Sequence, residues 1–386
     1  MLRATSRILC ASCLLSGSVL FGQDTGSGAA ALRGAAQPPS SQDVMGASAF
    51  EAELDRNAPQ WLKQYDVPSV AVAYIEDGKV AWTKIYGQQS PGVPATSKTL
   101  YNVASLTKPI SAEVILRLAS AGKLSLDEQI SNAWVDPDVK DNPWSKLLTP
   151  RLCLSHQTGF PNWRDQANGG LKFQWEPGTK TGYSGEGYDY VARFTETKMG
   201  IPFEILAKEY VFDPFGMKDT SYTAREWYAG RLAVAQGPKG EVEPKTQSTW
   251  TAADLLRTTI GDYAKFVVRV MHKDGLTDKI ATEQMISTRN LAGPEQLKKL
   301  CAEAKVSSSA DCQGTAGMGL GWEILVLNGK TIINHSGSDW GVHTLVFFLP
   351  ERQFGMVLFT NGQNGSKVIR EIVSLAYHNS LFLATL

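Results

Sequence analysis

The sequence predicts an α+β protein: a β-sheet of antiparallel strands drawn from both chain ends, with flanking helices and a mainly helical lobe inserted between them. Three observations carry this expectation. Strand-like runs occupy residues 70–86 and 320–360 and are scarce in between. Helical periodicity dominates the middle. The strand runs come as hairpins and do not alternate with helices, which argues against a βαβ order.

Each element has its own signal. Residues 46–64 read as an amphipathic helix, with Pro59 as a breaker inside it. Val70–Ile75 and Lys79–Tyr86 are β-prone runs around Asp77-Gly78, a strong hairpin signal. Ser111–Ser120 is apolar-periodic and stops at Gly122, and Glu186–Met199 stops at Gly200. Thr251–Met271 reads as a helix, with Leu255, Leu256, Ile260, Phe266, Val267 and Val270 at helical spacing. Leu320–Leu327 and Thr331–Asn334 flank Asn328-Gly329; Val342–Leu349 and Phe354–Thr360 flank Pro350-Glu351-Arg352. Val368–Phe382 is a closing helix.

Composition excludes several classes of function. Lys+Arg and Asp+Glu are both 38, so no bulk positive field points to nucleic acid. No internal segment is apolar for the roughly 18 residues that a membrane helix needs. The N-terminus is different. Arg3 and Arg7 precede an apolar run from Ile8 to Phe21, the pattern of a secretory signal peptide over residues 1–22. Removing it leaves 36 basic against 38 acidic residues. Residues 23–43, rich in Gly, Ala, Ser and Pro, read as a flexible linker. A lipid anchor would need Cys13 as first mature residue. Cys10, three positions before it, is not the aliphatic residue expected there, so periplasmic or secreted export without an anchor is the reading.

Three cysteines remain after such cleavage. Cys301 and Cys312 flank a Ser/Ala-rich stretch and are either a disulfide or two surface thiols; Cys153 lies in an apolar stretch as a core residue. The five histidines are scattered and none has zinc-ligand spacing, so no metal is expected.

Ser105-Leu106-Thr107-Lys108 leads from an apolar run into a helical pattern. Residues three apart on a helix share a face, so the Lys108 amine can reach the Ser105 hydroxyl. A hydroxyl needs a base beside it to act as nucleophile. Lysine serves only if burial or nearby positive charge lowers its usual pKa of about 10.4. On its own the motif also fits a plain helix start with a solvated lysine. Two further segments support it: Tyr183-Ser184-Gly185, and His335-Ser336-Gly337-Ser338 just before the strand Val342–Leu349. Leu154-Ser155-His156-Gln157-Thr158-Gly159-Phe160-Pro161 lies between.

In this order the motifs resemble those of the serine β-lactamase and penicillin-binding-protein superfamily, with S-x-x-K first and a K-T-G-type segment last. The likeness is greatest to the class C β-lactamases and the related esterases and D-alanyl-D-alanine carboxypeptidases, and it covers residues 45–385. It implies a β-lactamase/transpeptidase-like fold in one domain over residues 44–386, with a sheet lobe at about 44–104 and 315–386 and a helical lobe at about 105–314. It implies Ser105 as nucleophile, Lys108 and Tyr183 sharing the roles of base and acid, and oxyanion donors at the backbone of Ser105 and Ser338. His335, Gly337, Ser338, Trp163 and Trp340 would line the substrate site, with Gly337 letting substrate approach the backbone. No cofactor is implied; the partner is a small-molecule or peptide substrate, either lactam, ester or D-amino-acid peptide.

Two positions depart from the family pattern. Gly185 stands where Tyr-x-Asn has its amide, and His335 stands where the third motif has lysine. Histidine is only partly charged near pH 7, so a fixed positive charge suited to a substrate carboxylate is lost. The alternatives are a penicillin-binding or wall-fragment-binding protein with slow or no turnover, and a nucleophile at Ser184. The second fails the G-x-S-x-G pattern at Glu186. His156 reads as a structural hydrogen-bonder; His272, His343 and His378 read as non-catalytic.

Overall fold

A tight turn at Asp77-Gly78, with φ of 50° and 68°, joins two strands, β1 (Ser69–Glu76) and β2 (Lys79–Ser90). Both residues adopt the left-handed region that this type of hairpin requires, as do Asn328 and Gly329 in the turn between two later strands. The computed structural model describes residues 43–386 apart from 168, 238–239, 242–249, 289–292, 307 and 309–310; the proposed signal peptide, and the linker up to Gln42, lie outside the described residues.

After β3 (Val93–Pro94) and β4 (Tyr101–Asn102) the chain enters the helical lobe. This holds α2 (Thr107–Ser120), α3 (Pro150–Leu154), α4 (Gly185–Met199), α5 (Phe203–Ala207), α6 (Asp213–Phe215), α7 (Ile260–Met271), α8 (Asp278–Gln284) and α9 (Pro294–Glu303), with α1 (Ala47–Tyr65) lying before β1. The return strands are β6 (Gly314–Met318), β7 (Glu323–Leu327), β8 (Lys330–Asp339), β9 (Val342–Leu349) and β10 (Phe354–Thr360). Among the described residues, eight of the ten strands form one antiparallel sheet in the order β3-β2-β1-β10-β9-β8-β7-β6. β4 pairs separately with β5 (Arg257–Thr258). This is the expected β-lactamase/transpeptidase-like architecture of antiparallel sheet and flanking helices.

Successive strand residues point to opposite faces. Ala71, Ala73, Ile75, Val357, Phe359, Val346 and Phe348 therefore pack against the helical lobe. Their neighbours Val70, Val72, Tyr74, Met356, Leu358, Leu345 and Phe347 pack against Phe50, Leu54, Ala58 and Leu62 of α1 and against two C-terminal helices, α10 (Gly365–Ala376) and α11 (Ser380–Thr385). The central strands are buried on both faces, which is why β1 and β10 read as continuous apolar runs. Pro59 sits inside α1 on its exposed side and does not end the helix.

Several boundaries differ from the sequence expectation. The helix read over 251–271 begins only at Ile260. Thr259 caps it by accepting from the Asp262 N–H at 3.2 Å, and residues 251–256 form an irregular strap. β6 was missed because Gly314-Thr-Ala-Gly-Met318 lacks alternation, and the strand expected from Leu320 starts at Glu323. β8 runs on through His335, Gly337 and Ser338 to Asp339. The closing helix breaks at Tyr377. Cys301 and Cys312 form a disulfide, and Cys153 is a buried free thiol. Among the described residues no helix is long and apolar enough to cross a membrane.

Candidate active site

The site begins at the turn that launches α2. Ala104–Leu106 form a short 3-10 turn, and Ala104 has φ of 48°, a strained conformation for a residue with a side chain. The strain is held from several sides. Asn102 Oδ1 accepts from the Ala104 N–H at 3.0 Å, Thr107 Oγ1 donates to the Ala104 carbonyl at 2.7 Å, and Trp340, Ala235 and Val342 pack on the Ala104 methyl. Ser105 is thereby presented half-buried at the head of α2.

β8 supports this turn from behind. A Cβ at Gly337 would lie 2.4 Å from Thr344 Oγ1 and 2.6 Å from the Val103 carbonyl oxygen. The missing side chain therefore admits the chain's own backbone. This corrects the expectation that Gly337 makes room for substrate. Ser338 and Trp340, beyond it, are half-buried.

Lys108 lies one turn beyond Ser105 and is fully buried. Its Nζ donates to Ser105 Oγ at 3.1 Å and to the Ala253 carbonyl at 2.8 Å. Three aromatic faces surround the ammonium: Tyr183 at 4.7 Å from the ring centroid, and Trp163 and Tyr188 each at 5.9 Å. Ala253 belongs to the strap, so the segment misread as helix supplies an anchor for the lysine. Nothing in its helical spacing signals this role.

His156 clasps the chain around Tyr183. Its carbonyl accepts from the Gly182 N–H at 2.8 Å, and its Nδ1 accepts from the Ser184 N–H at 3.0 Å. Its ring stacks on Tyr183 with centroids 4.4 Å apart. Burial, then the charge of Lys108, push the His156 pKa well below its ordinary value, so the ring is neutral. Ser184 is enclosed as the cap of α4: it donates to the Pro161 carbonyl at 2.7 Å and accepts from the Gly187 N–H at 3.1 Å. That geometry removes it as a nucleophile.

Trp163 closes one wall. A Cβ on Gly185 would lie 2.7 Å from its indole, so the absent amide and the tryptophan compete for one space. Arg164 fixes this loop, with Nε and a terminal nitrogen on Glu186 Oε2 at 3.0 and 2.8 Å.

His335 is buried, 6% exposed, and not a solvent-facing strand residue. Its Nδ1 lies 2.8 Å from the Ser336 carbonyl oxygen. A carbonyl only accepts, so Nδ1 carries the hydrogen and Nε2 holds a lone pair in the neutral ring. Burial first, and the Lys108 charge second, lower its pKa to about 3. The sequence-based expectation of partial charge near pH 7 is thus corrected: His335 is neutral throughout the physiological range.

The structure therefore brings Ser105, Lys108, Tyr183, Trp163 and His335 around one point and places Gly337 behind it. Among the described residues no cluster of three metal-ligating side chains occurs. A buried amine beside a half-exposed hydroxyl, with a phenol above it, is an arrangement suited to acyl transfer.

Comparison with known proteins gives a consistent result. The chain is 22% identical over 354 residues to an unguisins hydrolase of Aspergillus violaceofuscus, covering 81% of this chain but only 61% of that protein. It is 23% identical over 331 residues to penicillin-binding protein 4 of Amycolatopsis lactamdurans, covering 78% and 82% of the two chains. The crystal structure of the D-alanine carboxypeptidase AmpC from Burkholderia cenocepacia superimposes with a TM-score of 0.67 at 21% identity, covering 86% of this chain and 99% of that one. The family model described as Beta-lactamase matches residues 52–376, most of the chain, and the protein belongs to the Beta-lactamase family.

Proposed function

We propose that this protein is an exported serine hydrolase that works through an acyl-enzyme on Ser105 and favours neutral esters or amides over carboxylate-bearing lactams. The observation that carries the reading is the 3.1 Å contact between Lys108 Nζ and Ser105 Oγ under the Tyr183 ring. Ser105 Oγ forms a bond to the substrate carbonyl carbon while the Lys108–Tyr183 pair, in its singly deprotonated form, takes the hydroxyl proton. The backbone N–H groups of Ser105 and Ser338 hold the oxyanion, each worth about 3–4 kcal/mol in comparable sites. The bond to the leaving alcohol or amine then breaks, and the leaving group receives the proton. Water repeats the sequence in reverse order, releasing the acid and restoring Ser105.

The preference for neutral substrates rests on His335, which puts a neutral ring with a lone pair where the antibiotic-hydrolysing relatives carry a lysine. Export is supported by the N-terminal pattern and by the Cys301–Cys312 bridge, a bond that persists in oxidising compartments. The absent amide at Gly185 favours a second reading, a penicillin-acylated protein with slow deacylation. Intact-mass measurement with a penicillin, a chromogenic cephalosporin and a nitrophenyl ester separates the two. Ester turnover without a stalled adduct supports the hydrolase, a persistent penicillin adduct supports the binder, and no reaction at Ser105 with any of the three refutes both.

A further inference from the structure

We infer that Asp189 is a positioning residue for catalysis: it clamps the 251–253 strap whose carbonyl anchors Lys108. The inference rests on the acyl-enzyme reading of Ser105 and Lys108. Asp189 lies on α4, six residues after Tyr183, and does not itself belong to any of the motifs. Its Oδ1 accepts from Thr251 Oγ1 and from the Ala252 N–H, both at 2.7 Å. Two adjoining carbonyls of the same strap then reach α2. Ala252 O accepts from Ser111 Oγ at 2.6 Å, and Ala253 O accepts from Lys108 Nζ at 2.8 Å. Thr251 Oγ1 also accepts from the Ala253 N–H at 3.1 Å, which ties the clamp directly to the residue that holds the lysine.

The strap needs such a clamp. It is irregular, and Leu255 within it has φ of 68°, a conformation a branched side chain adopts only when its surroundings impose it. α4 therefore does two tasks at once. Tyr183 directly precedes its Ser184 cap, and its next turn fixes the anchor of Lys108, so the start of one helix ties together the two proton-handling groups. Burial, opposed first by the hydrogen bond from Thr251, raises the Asp189 pKa to about 6, and the carboxylate faces the charges of Lys108 and Glu186. It is ionised at pH 7.5, where a charged acceptor makes the clamp bonds strong.

The test compares Asp189→Ala, Asp189→Asn and Thr251→Val at pH 7.5, with Ser105→Ala as reference. Each is measured for nitrophenyl acetate kcat and KM, for the rate of covalent labelling by a fluorophosphonate, and for thermal melting. Both clamp bonds end on one oxygen, and an asparagine amide oxygen can accept both. Asp189→Ala is expected to lower kcat and the labelling rate on the order of 100-fold, the effect of about 1 Å of misplacement, with KM within about twofold. Asp189→Asn recovers most of the loss. Thr251→Val, which removes one bond to Asp189 together with the acceptor of the Ala253 N–H and keeps the charge, loses about tenfold with little change in melting. Asp189→Ala at wild-type kcat and labelling rate, or Asp189→Asn as impaired as Asp189→Ala, overturns the inference. If Asp189→Ala does not fold, Thr251→Val decides it by the same measure, an unchanged kcat and labelling rate counting against the clamp. Labelling that persists in Ser105→Ala defeats the acyl-enzyme reading instead, a separate outcome.

Discussion

The burial of His335 makes a quantitative statement about substrate choice. An ordinary imidazole, with a pKa near 6.5, would go from about 9% protonated at pH 7.5 to about 91% at pH 5.5. If a charged His335 read the carboxylate of a lactam, the ratio of cephalosporin to nitrophenyl ester hydrolysis would rise about tenfold over that interval. With the pKa lowered to about 3 by burial and by Lys108, the protonated fraction at pH 5.5 is only about 0.3%. The ratio is therefore expected to stay flat within about twofold even where both individual rates change together with pH. Taking the ratio cancels that shared change. His335→Lys supplies the missing charge, and an ion-assisted hydrogen bond of about 1.5–3 kcal/mol should raise the ratio tenfold or more at pH 7.5. The assay is kcat/KM for both substrates at five pH values from 5.5 to 7.5, in wild type and variant. A rise above about fivefold in wild type towards acid, or an unchanged ratio in His335→Lys, refutes the reasoning.

Three further outcomes are expected. Ser105→Ala abolishes turnover and covalent labelling with the fold intact, whereas Ser184→Ala leaves labelling at Ser105 and costs about 0.5–2 kcal/mol of stability through its lost cap, read by urea unfolding. Gly337→Ala puts a methyl about 0.8 Å too close to the Val103 carbonyl; it should destabilise by about 1–3 kcal/mol and also depress kcat, and an unaffected kcat would separate β8 from the Ser105 turn. A thiol count on denatured, unreduced mature protein should find Cys153 alone, and replacing Cys301 and Cys312 by serine should cost about 3 kcal/mol, as expected for a loop of this span, with activity per folded molecule retained.

Much of the fold was legible because its signals are local. Asp77-Gly78 and Asn328-Gly329 announce hairpins by their own conformational freedom, and Gly200 ends α4 in the left-handed region where the sequence placed it. The spacing of Ser105 and Lys108 likewise lies within one turn. What escaped depends on contacts far apart in the chain. The spacing of Leu255, Leu256 and Ile260 imitates a helix, yet the Ala252 and Ala253 carbonyls are committed to Ser111 and Lys108, more than 140 residues away. The purpose of Gly337 was misread for the same reason, since only the folded chain brings Val103 beside it. The charge state of His335 depends on its enclosure and on Lys108, neither visible in the residues around it.

The pairing of β1 with β10 sets the order in which this protein can come into being. Val70 meets Thr360 and Ala71 meets Phe359, so the middle of the sheet joins segments almost 290 residues apart. A contact of that span has a large closure entropy and forms slowly. Ser105 is synthesised early, but the strand that buttresses its turn arrives only with residues 330–339, and the sheet's central pair closes later still. A growing chain thus carries Ser105 and Lys108 well before the strand that supports their turn. The turn that holds Ser105 therefore gains its support only when the last strands of the sheet have docked.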